Sequence, residues 1–70
     1  MSFVYKYELI VADVQEKIKN GKLSQGDQLP SFAEMRDQYN ASYGSIRTAV
    51  IILKTLGIVE GRHGVGVFLK

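Results

Sequence analysis

The sequence has no cysteine and only one histidine, His63. Without cysteine the chain forms no disulfide scaffold, has no thiol nucleophile and offers no thiolate to a zinc finger. His63 has no second imidazole to join it in a metal site. We therefore expect no metal and no cofactor, and a cysteine-free protein of this kind fits the cytoplasm.

Long hydrophobic runs are also missing. The apolar stretch Ala49–Leu53 is far too short to span a bilayer, and the N-terminal MSFVYKYE carries charge without a small-residue cleavage site. A composition of 46% hydrophobic and 23% charged residues is that of a globular protein. A length of 70 residues is enough for one domain with a small hydrophobic core. We expect one folded domain over residues 1–70, with neither a signal peptide nor an anchor.

Apolar residues at spacings of three and four predict a first helix from about Tyr5 to Lys19. Its inward-facing residues are Tyr7, Ile10, Val11, Val14 and Ile18. Gly21 is predicted to end this helix. From Asn20 to Pro30 the glycines and small polar residues predict a loop, in which Pro30 forces Leu29 toward an extended conformation.

Two further helices follow from their capping residues. Ser31 and Glu34 form a capping box that predicts a short second helix, from about Phe32 to Tyr39. Asn40 can take the left-handed conformation that ends a helix, and Ser42 can cap a third helix that runs to about Thr55 before Gly57 closes it. The expected inner residues are Phe32, Met35 and Tyr39, then Ile46, Ala49, Val50, Leu53 and Leu56.

After Gly57 the helical period gives way to short extended runs. Ile58–Glu60 and Val67–Leu69 are rich in β-branched and aromatic residues, and glycines separate them, so they predict a hairpin. The expected fold is α+β: a winged helix-turn-helix, with three helices followed by a two-stranded β-hairpin wing.

The net charge of +2 is a weak indication of a nucleic-acid partner, but its distribution is uneven. Residues 1–41 carry five basic and six acidic groups, for a net charge of −1. Residues 42–70 have a net charge of +3, from Arg47, Lys54, Arg62 and Lys70 against Glu60. A nucleic-acid contact is therefore expected in the C-terminal half.

The outer face of the third helix suits the DNA major groove, which admits one helix. Opposite the apolar stripe lie Gly44, Arg47, Thr48 and Ile51, with Lys54 two turns beyond Arg47. Arg47 can contact guanine or clamp a phosphate, Thr48 can make a weaker version of either contact, and Gly44 lets the backbone approach DNA. The alternative, which the sequence supports equally well, is that this face is an ordinary solvent-exposed surface without a DNA contact.

Two residues of this helix have a second interpretation each. Ile51 either touches a thymine methyl group or packs against the hairpin or a second subunit. Tyr43 either donates a hydrogen bond to a phosphate or is a half-buried staple.

The hairpin tip Arg62–Gly66 combines a cation with two glycines, so it can follow a phosphate strand or insert Arg62 into a minor groove. Taken alone, a flexible turn with one charge is the simpler interpretation. The tip segment GRHGVG lacks the GK[ST] ending of a phosphate loop. Since the acids are scattered and no nucleophile has a base beside it, we expect no enzyme activity.

Three segments in one order resemble the GntR family of bacterial winged-helix regulators over nearly the whole chain. They are GKLSQGDQLPSFAEM, YNASYGSIRTAVIILKTLGIVE and GRHGVGVFL. They match the family's LPS before the second helix, its Ser-led recognition helix and its G-x-G-x-[FY]-[VL] wing.

The resemblance implies a DNA-binding, repressor-type transcription regulator that acts as a homodimer on a palindromic operator. In the family, larger C-terminal domains usually bind a metabolite and dimerise the protein; this chain ends at Lys70, with the wing, so we expect no effector domain and no effector ligand here. The chain departs from the family at Ala33 and Tyr43, where arginine is common. Losing two cations is expected to weaken phosphate binding.

By this resemblance Ser42, Ser45 and Arg47 are phosphate- and base-contacting positions, and His63 and Gly64 are minor-groove contacts of the wing. A protein-interaction module without operator binding, centred on Ile51 and Tyr43, is the alternative. The complete predicted DNA-binding set is Ser31, Ser42, Tyr43, Gly44, Ser45, Arg47, Thr48, Lys54, Arg62, His63 and Gly64.

Overall fold

The computed structural model describes residues 5–70, which form three helices and one hairpin. The elements are α1 (Lys6–Lys19), α2 (Phe32–Tyr39), α3 (Tyr43–Thr55), β1 (Val59–Arg62) and β2 (Gly66–Leu69). The predicted winged helix-turn-helix is confirmed, with each helix within one residue of its expected bounds. Residues 1–4, part of the segment expected to be neither signal peptide nor anchor, lie outside the described residues.

Local capping sets the helix-turn-helix. Ser31 Oγ accepts from the Glu34 backbone N–H at 3.1 Å, and Glu34 Oε1 accepts from the Ser31 N–H at 3.0 Å. Asn40 ends α2 with a φ of 51°, in the left-handed region, and its N–H donates to the carbonyl of Arg36. Ser42 then begins α3 by accepting from the Ser45 N–H at 3.2 Å. Only Ala41 lies between these two caps, so Asn40 and Ala41 form the tight turn that the sequence predicts.

The core consists of two clusters of buried side chains, and α3 contributes to both. One cluster joins the three helices, and the other joins α1 and α3 to the hairpin. Their buried members are Ile10, Met35, Ile46, Ala49 and Val50 in the first, and Val14, Leu29, Leu53, Val59 and Leu69 in the second. Packing on both sides fixes the rotation of α3, and with it the direction of its outer face.

Leu56 was expected in the core, and this prediction is wrong, because Leu56 is 57% exposed. Leu56 is the C-cap of α3: its N–H still donates to the Ile52 carbonyl, at 2.9 Å, but the chain leaves the helix directly after it. Gly57, with a φ of 76°, reverses the chain, and Val59 takes the inward position at 2% exposure.

The predicted loop from Asn20 to Pro30 contains an extended segment that joins the hairpin. β2 pairs with β1 antiparallel, from Val59 opposite Leu69 to Arg62 opposite Gly66. On its other edge, the Leu69 N–H donates to the Asp27 carbonyl and the Leu29 N–H to the Val67 carbonyl, each at 2.8 Å. The wing is therefore held to the helical body by its backbone as well as by the core.

Within residues 5–70 no helix is both long and apolar enough to cross a membrane.

Candidate nucleic-acid interface

The outer face of α3 is exposed as predicted. Gly44, Arg47 and Thr48 are exposed, and Ile51 is 49% exposed, while Ile46 and Val50 on the opposite side are buried. A Cβ atom on Gly44 would meet nothing nearer than Ser42 Oγ at 3.9 Å. Packing within the protein thus does not require a glycine at position 44, which leaves this surface low and open to a close approach.

The hydroxyl groups at the start of α3 are occupied locally. Ser42 Oγ accepts from the Ser45 N–H at 3.2 Å, and the Ser42 hydroxyl donates to Ser45 Oγ, also at 3.2 Å. Ser42 is exposed and Ser45 half-buried. The two serines therefore shape the helix N-terminus, and a DNA contact by either must share these hydrogen bonds.

Tyr43 packs on α2 and remains 55% exposed. Its ring centroid lies 5.4 Å from that of Phe32, with the planes tilted by 52°. The staple contact predicted for Tyr43 is present, and the exposure leaves room for a phosphate contact. Since Phe32 follows Ser31, this aromatic pair also places the N-termini of α2 and α3 beside each other.

Glu34 lies in the same turn as Ser31 and is ionised more readily than an ordinary carboxyl. The backbone N–H of Ser31, and then its hydroxyl, lower the pKa of Glu34. A negative charge at this helix start stabilises α2 through the helix dipole. It also makes Ser31 a less favourable phosphate contact than the outer face of α3.

Lys54 connects α3 to the wing. A Cβ atom on Gly61 would lie 3.1 Å from Lys54 Nζ and 3.3 Å from its Cε, so the lysine side chain crosses the β1 backbone where that backbone carries no side chain. Lys54 and the wing residues from Gly61 to Val67 line an open hollow of about 510 Å³. The last turn of α3 and the wing therefore form one continuous surface that carries two cations, Lys54 and Arg62.

The wing tip presents His63 and Gly64 to solvent. The Val65 N–H donates to the Arg62 carbonyl at 3.0 Å and closes a tight turn, in which Gly64 takes a φ of 73° that favours glycine. His63, Gly64 and Val65 are all exposed. The turn itself therefore favours a glycine at position 64, one of the predicted wing contacts.

Arg62 does not extend from the tip but lies back along the sheet. Its guanidinium carbon is 4.3 Å from the centroid of the Phe68 ring, and Arg62 Nη2 is 3.6 Å from Glu60 Oε1. Glu60, Arg62 and Phe68 therefore occupy one face of the hairpin. Insertion of Arg62 into a minor groove would require it to leave both partners.

A polar cluster behind the interface joins α1 to the end of α2. The Tyr39 hydroxyl donates to Asp13 Oδ2 at 2.6 Å, and Lys17 Nζ lies 2.9 Å from the same oxygen. Partial burial opposes ionisation of Asp13, but the Tyr39 hydrogen bond and the Lys17 ammonium outweigh it and lower the pKa of Asp13. Burial, reinforced by the adjacent carboxylate, raises the pKa of Tyr39. This cluster fixes α2 immediately before the turn.

Sequence reasoning missed one residue of this surface, Gln28. Its Nε2 donates to the Val65 carbonyl at 3.1 Å, across 37 positions of sequence. The sequence carries no signal for this contact, because the contact depends on an extended segment within a stretch whose composition predicts a loop. The predicted set is otherwise divided between the start of α3, its outer face and the wing, with Ser31 at the start of α2.

Among residues 5–70, no three histidine or acidic side chains are grouped so that they could hold a metal ion. The hollow at the wing is open to solvent, and its lining includes two cations, Lys54 and Arg62, and three glycines. The chemistry that this surface offers is hydrogen-bond donation and positive charge.

Residues 6–69 match the family model described as bacterial regulatory proteins, gntR family. The chain is 40% identical over 53 residues to the HTH-type transcriptional regulator LutR of Bacillus subtilis (strain 168), a match that covers 76% of this chain and 24% of LutR. It is 38% identical over 61 residues to the Exu regulon transcriptional regulator of Escherichia coli (strain K12), covering 87% of this chain and 24% of that protein. The chain thus spans about a quarter of the length of these relatives.

Among solved structures, the chain is similar to AraR(DBD) crystallised in complex with operator ORR3. The TM-score is 0.91 at 25% identity, and the match covers 99% of this chain and 83% of that one. The similarity therefore includes the three helices and the wing together.

Proposed function

The chain belongs to the gntR family of bacterial regulatory proteins, and we propose that residues 1–70 are its DNA-binding domain, a winged helix-turn-helix that binds operator DNA and regulates transcription. The observation that carries the proposal is the outer face of α3. Arg47 and Thr48 are exposed there, beside a glycine that the packing of the protein does not require. A helix with this face fits the major groove, where arginine reads guanine through two parallel hydrogen bonds.

The wing gives this function a second contact. Lys54 connects the end of α3 to the wing, and His63 and Gly64 form the exposed tip, so that α3 in the major groove brings the tip to the neighbouring minor groove. Support comes from AraR(DBD), which is similar over 99% of this chain and was crystallised with an operator. Ser31, Ser42, Tyr43 and Ser45 would contact phosphates around the helix starts.

We further propose a homodimer that acts as a repressor on a palindromic operator. Two copies of one DNA-binding domain bind two half-sites that are related by a twofold axis. DNA as the partner places the protein in the bacterial cytoplasm. Binding rather than catalysis is the proposed activity, and residues 1–70 would bind no effector. Metabolite sensing would then belong to a part of the regulator other than this domain.

Selection of duplexes from a random-sequence pool tests the proposal. The protein should enrich an inverted repeat, and sequencing should show the strongest preference at guanine positions within each half-site. Enrichment of no sequence would contradict operator binding and would favour a protein partner that covers exposed Ile51. In that case Ile51→Glu should abolish capture of the partner.

A further inference from the structure

Gln28 lies on the extended segment beside β2 and reaches the turn of the wing. Its Nε2 donates to the Val65 carbonyl at 3.1 Å. The backbone around it is fixed, because the Asp27 carbonyl accepts from the Leu69 N–H and the Leu29 N–H donates to the Val67 carbonyl, at 2.8 Å each. Leu29 is also buried in the core. The amide of Gln28 therefore extends from a backbone held by β2 and the core to the exposed turn of the hairpin.

The wing tip has few other interactions to hold it. Val65 is 62% exposed, so burial of apolar surface contributes little to the position of the tip. The turn itself is closed by the hydrogen bond from Val65 N–H to the Arg62 carbonyl. That bond shapes the turn but does not tie it to the rest of the molecule, whereas the bond from Gln28 does.

The space beside Gly66 is also shaped for Gln28. Gly66 has a φ of 148°, and a Cβ atom at this position would collide with Gln28 Nε2. A side chain at position 66 would therefore displace the Gln28 amide from its present place. The amide of Gln28 fills the volume that a side chain at position 66 would occupy, and this brings it within reach of Val65 O.

We propose that Gln28 is a positioning residue for DNA recognition by the wing. It holds the tip at a fixed place relative to α3, so that the wing meets the minor groove while α3 lies in the major groove. The inference rests on the proposed operator binding. A tip that samples other positions binds more weakly, in proportion to the fraction of molecules whose wing is correctly placed.

Gln28→Met tests this, since it keeps the length of the side chain and removes the donor. Loss of one exposed hydrogen bond should weaken operator binding by about two- to tenfold. Gln25→Met is the matched control, because Gln25 is exposed in the same connection and makes no side-chain hydrogen bond within residues 5–70. The control should bind DNA as the wild type does.

Amide hydrogen exchange without DNA tests the same hold on the wing independently. In Gln28→Met, the Val65 and Gly66 amides should exchange about two- to tenfold faster, while amides of α1 to α3 stay unchanged. Faster exchange throughout the chain would mean a general loss of stability and would overturn the assignment. So would unchanged exchange at the tip.

Measuring Gln28→Met in a second variant separates an effect on the wing from an effect on α3. In Arg47→Ala, which weakens the α3 contact, Gln28→Met should cause the same further loss as in the wild type. If its effect vanishes there, Gln28 acts through α3 and the inference is wrong. If the wild type binds no DNA at all, the proposed function fails, and the exchange data alone then report whether Gln28 fixes the tip.

Discussion

Arg47 and Arg62 illustrate how two arginines in one interface differ. Within residues 5–70 Arg47 makes no salt bridge, whereas Arg62 is held between Glu60 and the ring of Phe68. Arg62 must give up part of these contacts to bind a phosphate, and Arg47 has no such cost. Arg47 is therefore the residue whose removal should be felt most in sequence recognition.

Arg47→Ala should reduce operator affinity by about 1–3 kcal/mol and relax the base preference at one position of each half-site. Mobility-shift titrations with the selected operator and its single-base variants measure both effects. Arg36→Ala, which removes an exposed arginine from α2 outside the predicted set, is the control and should leave the base preference intact. Equal losses for the two variants would show that Arg47 supplies charge alone.

Tyr39 has a role in stability rather than in recognition. Tyr39→Phe removes the 2.6 Å hydrogen bond to Asp13 and should lower the free energy of unfolding by about 1 kcal/mol near neutral pH. Chemical denaturation measures the change. Tyr43→Phe is the control, since the Tyr43 hydroxyl makes no hydrogen bond in the part of the chain that the structure describes.

The cost of Tyr39→Phe should also depend on pH. The pKa of Asp13 is lower in the folded protein than its ordinary value of 3.8, so the ionised carboxylate stabilises the fold fully above that value. This stabilisation is lost as the pH falls through the folded pKa. The difference between wild type and variant should therefore shrink below about pH 4, and a difference that stays constant there would contradict a role for the Asp13 carboxylate.

At the scale of elements, the turn between α2 and α3 sets the angle of the interface. Asn40→Ala should destabilise the protein by about 1 kcal/mol, because Asn40 sits at a φ of 51° and alanine tolerates the left-handed region poorly. Asn40→Gly should cost little, since glycine accepts this conformation. Thermal unfolding of the pair measures the difference. Equal melting temperatures for the two variants would show that the turn is unstrained.

The helices were predictable because each has a local cause near its ends. Ser31 and Ser42 cap α2 and α3, Asn40 ends α2, and the apolar spacing of α3 identified four of its five expected core residues. The spacing failed only at Leu56, the C-cap residue, after which Gly57 reverses the chain. Periodicity alone cannot show where a turn interrupts it.

The extended segment at residues 26–29 could not be predicted in the same way. It is short, it lies between Gly26 and Pro30, and its pairing partner is β2, about 40 residues further on. The outer face of α3 followed from geometry at 100° per residue, but the stacking of Arg62 on Phe68 and the reach of Gln28 depend on tertiary packing. Sequence therefore located the interface but not the contacts that shape it.

At the scale of the whole molecule, the distribution of charge distinguishes the interface from the rest. The half that contains α3 and the wing has a net charge of +3, and the preceding half has −1. The total charge of +2 is small because the two parts have net charges of opposite sign. Nonspecific attraction to DNA should be modest, and binding should depend on the face that α3 and the wing form together.

The salt dependence of duplex binding tests the central claim most directly. Fluorescence anisotropy with the selected operator, over a series of salt concentrations, gives the slope of log K against log salt. If Lys54 and Arg62 neutralise phosphates while Arg47 contacts guanine, the slope should be about −2 per bound domain, at about 0.9 for each phosphate contact. Binding that does not change with salt, or no binding at low salt, would contradict an interface made of α3 and the wing.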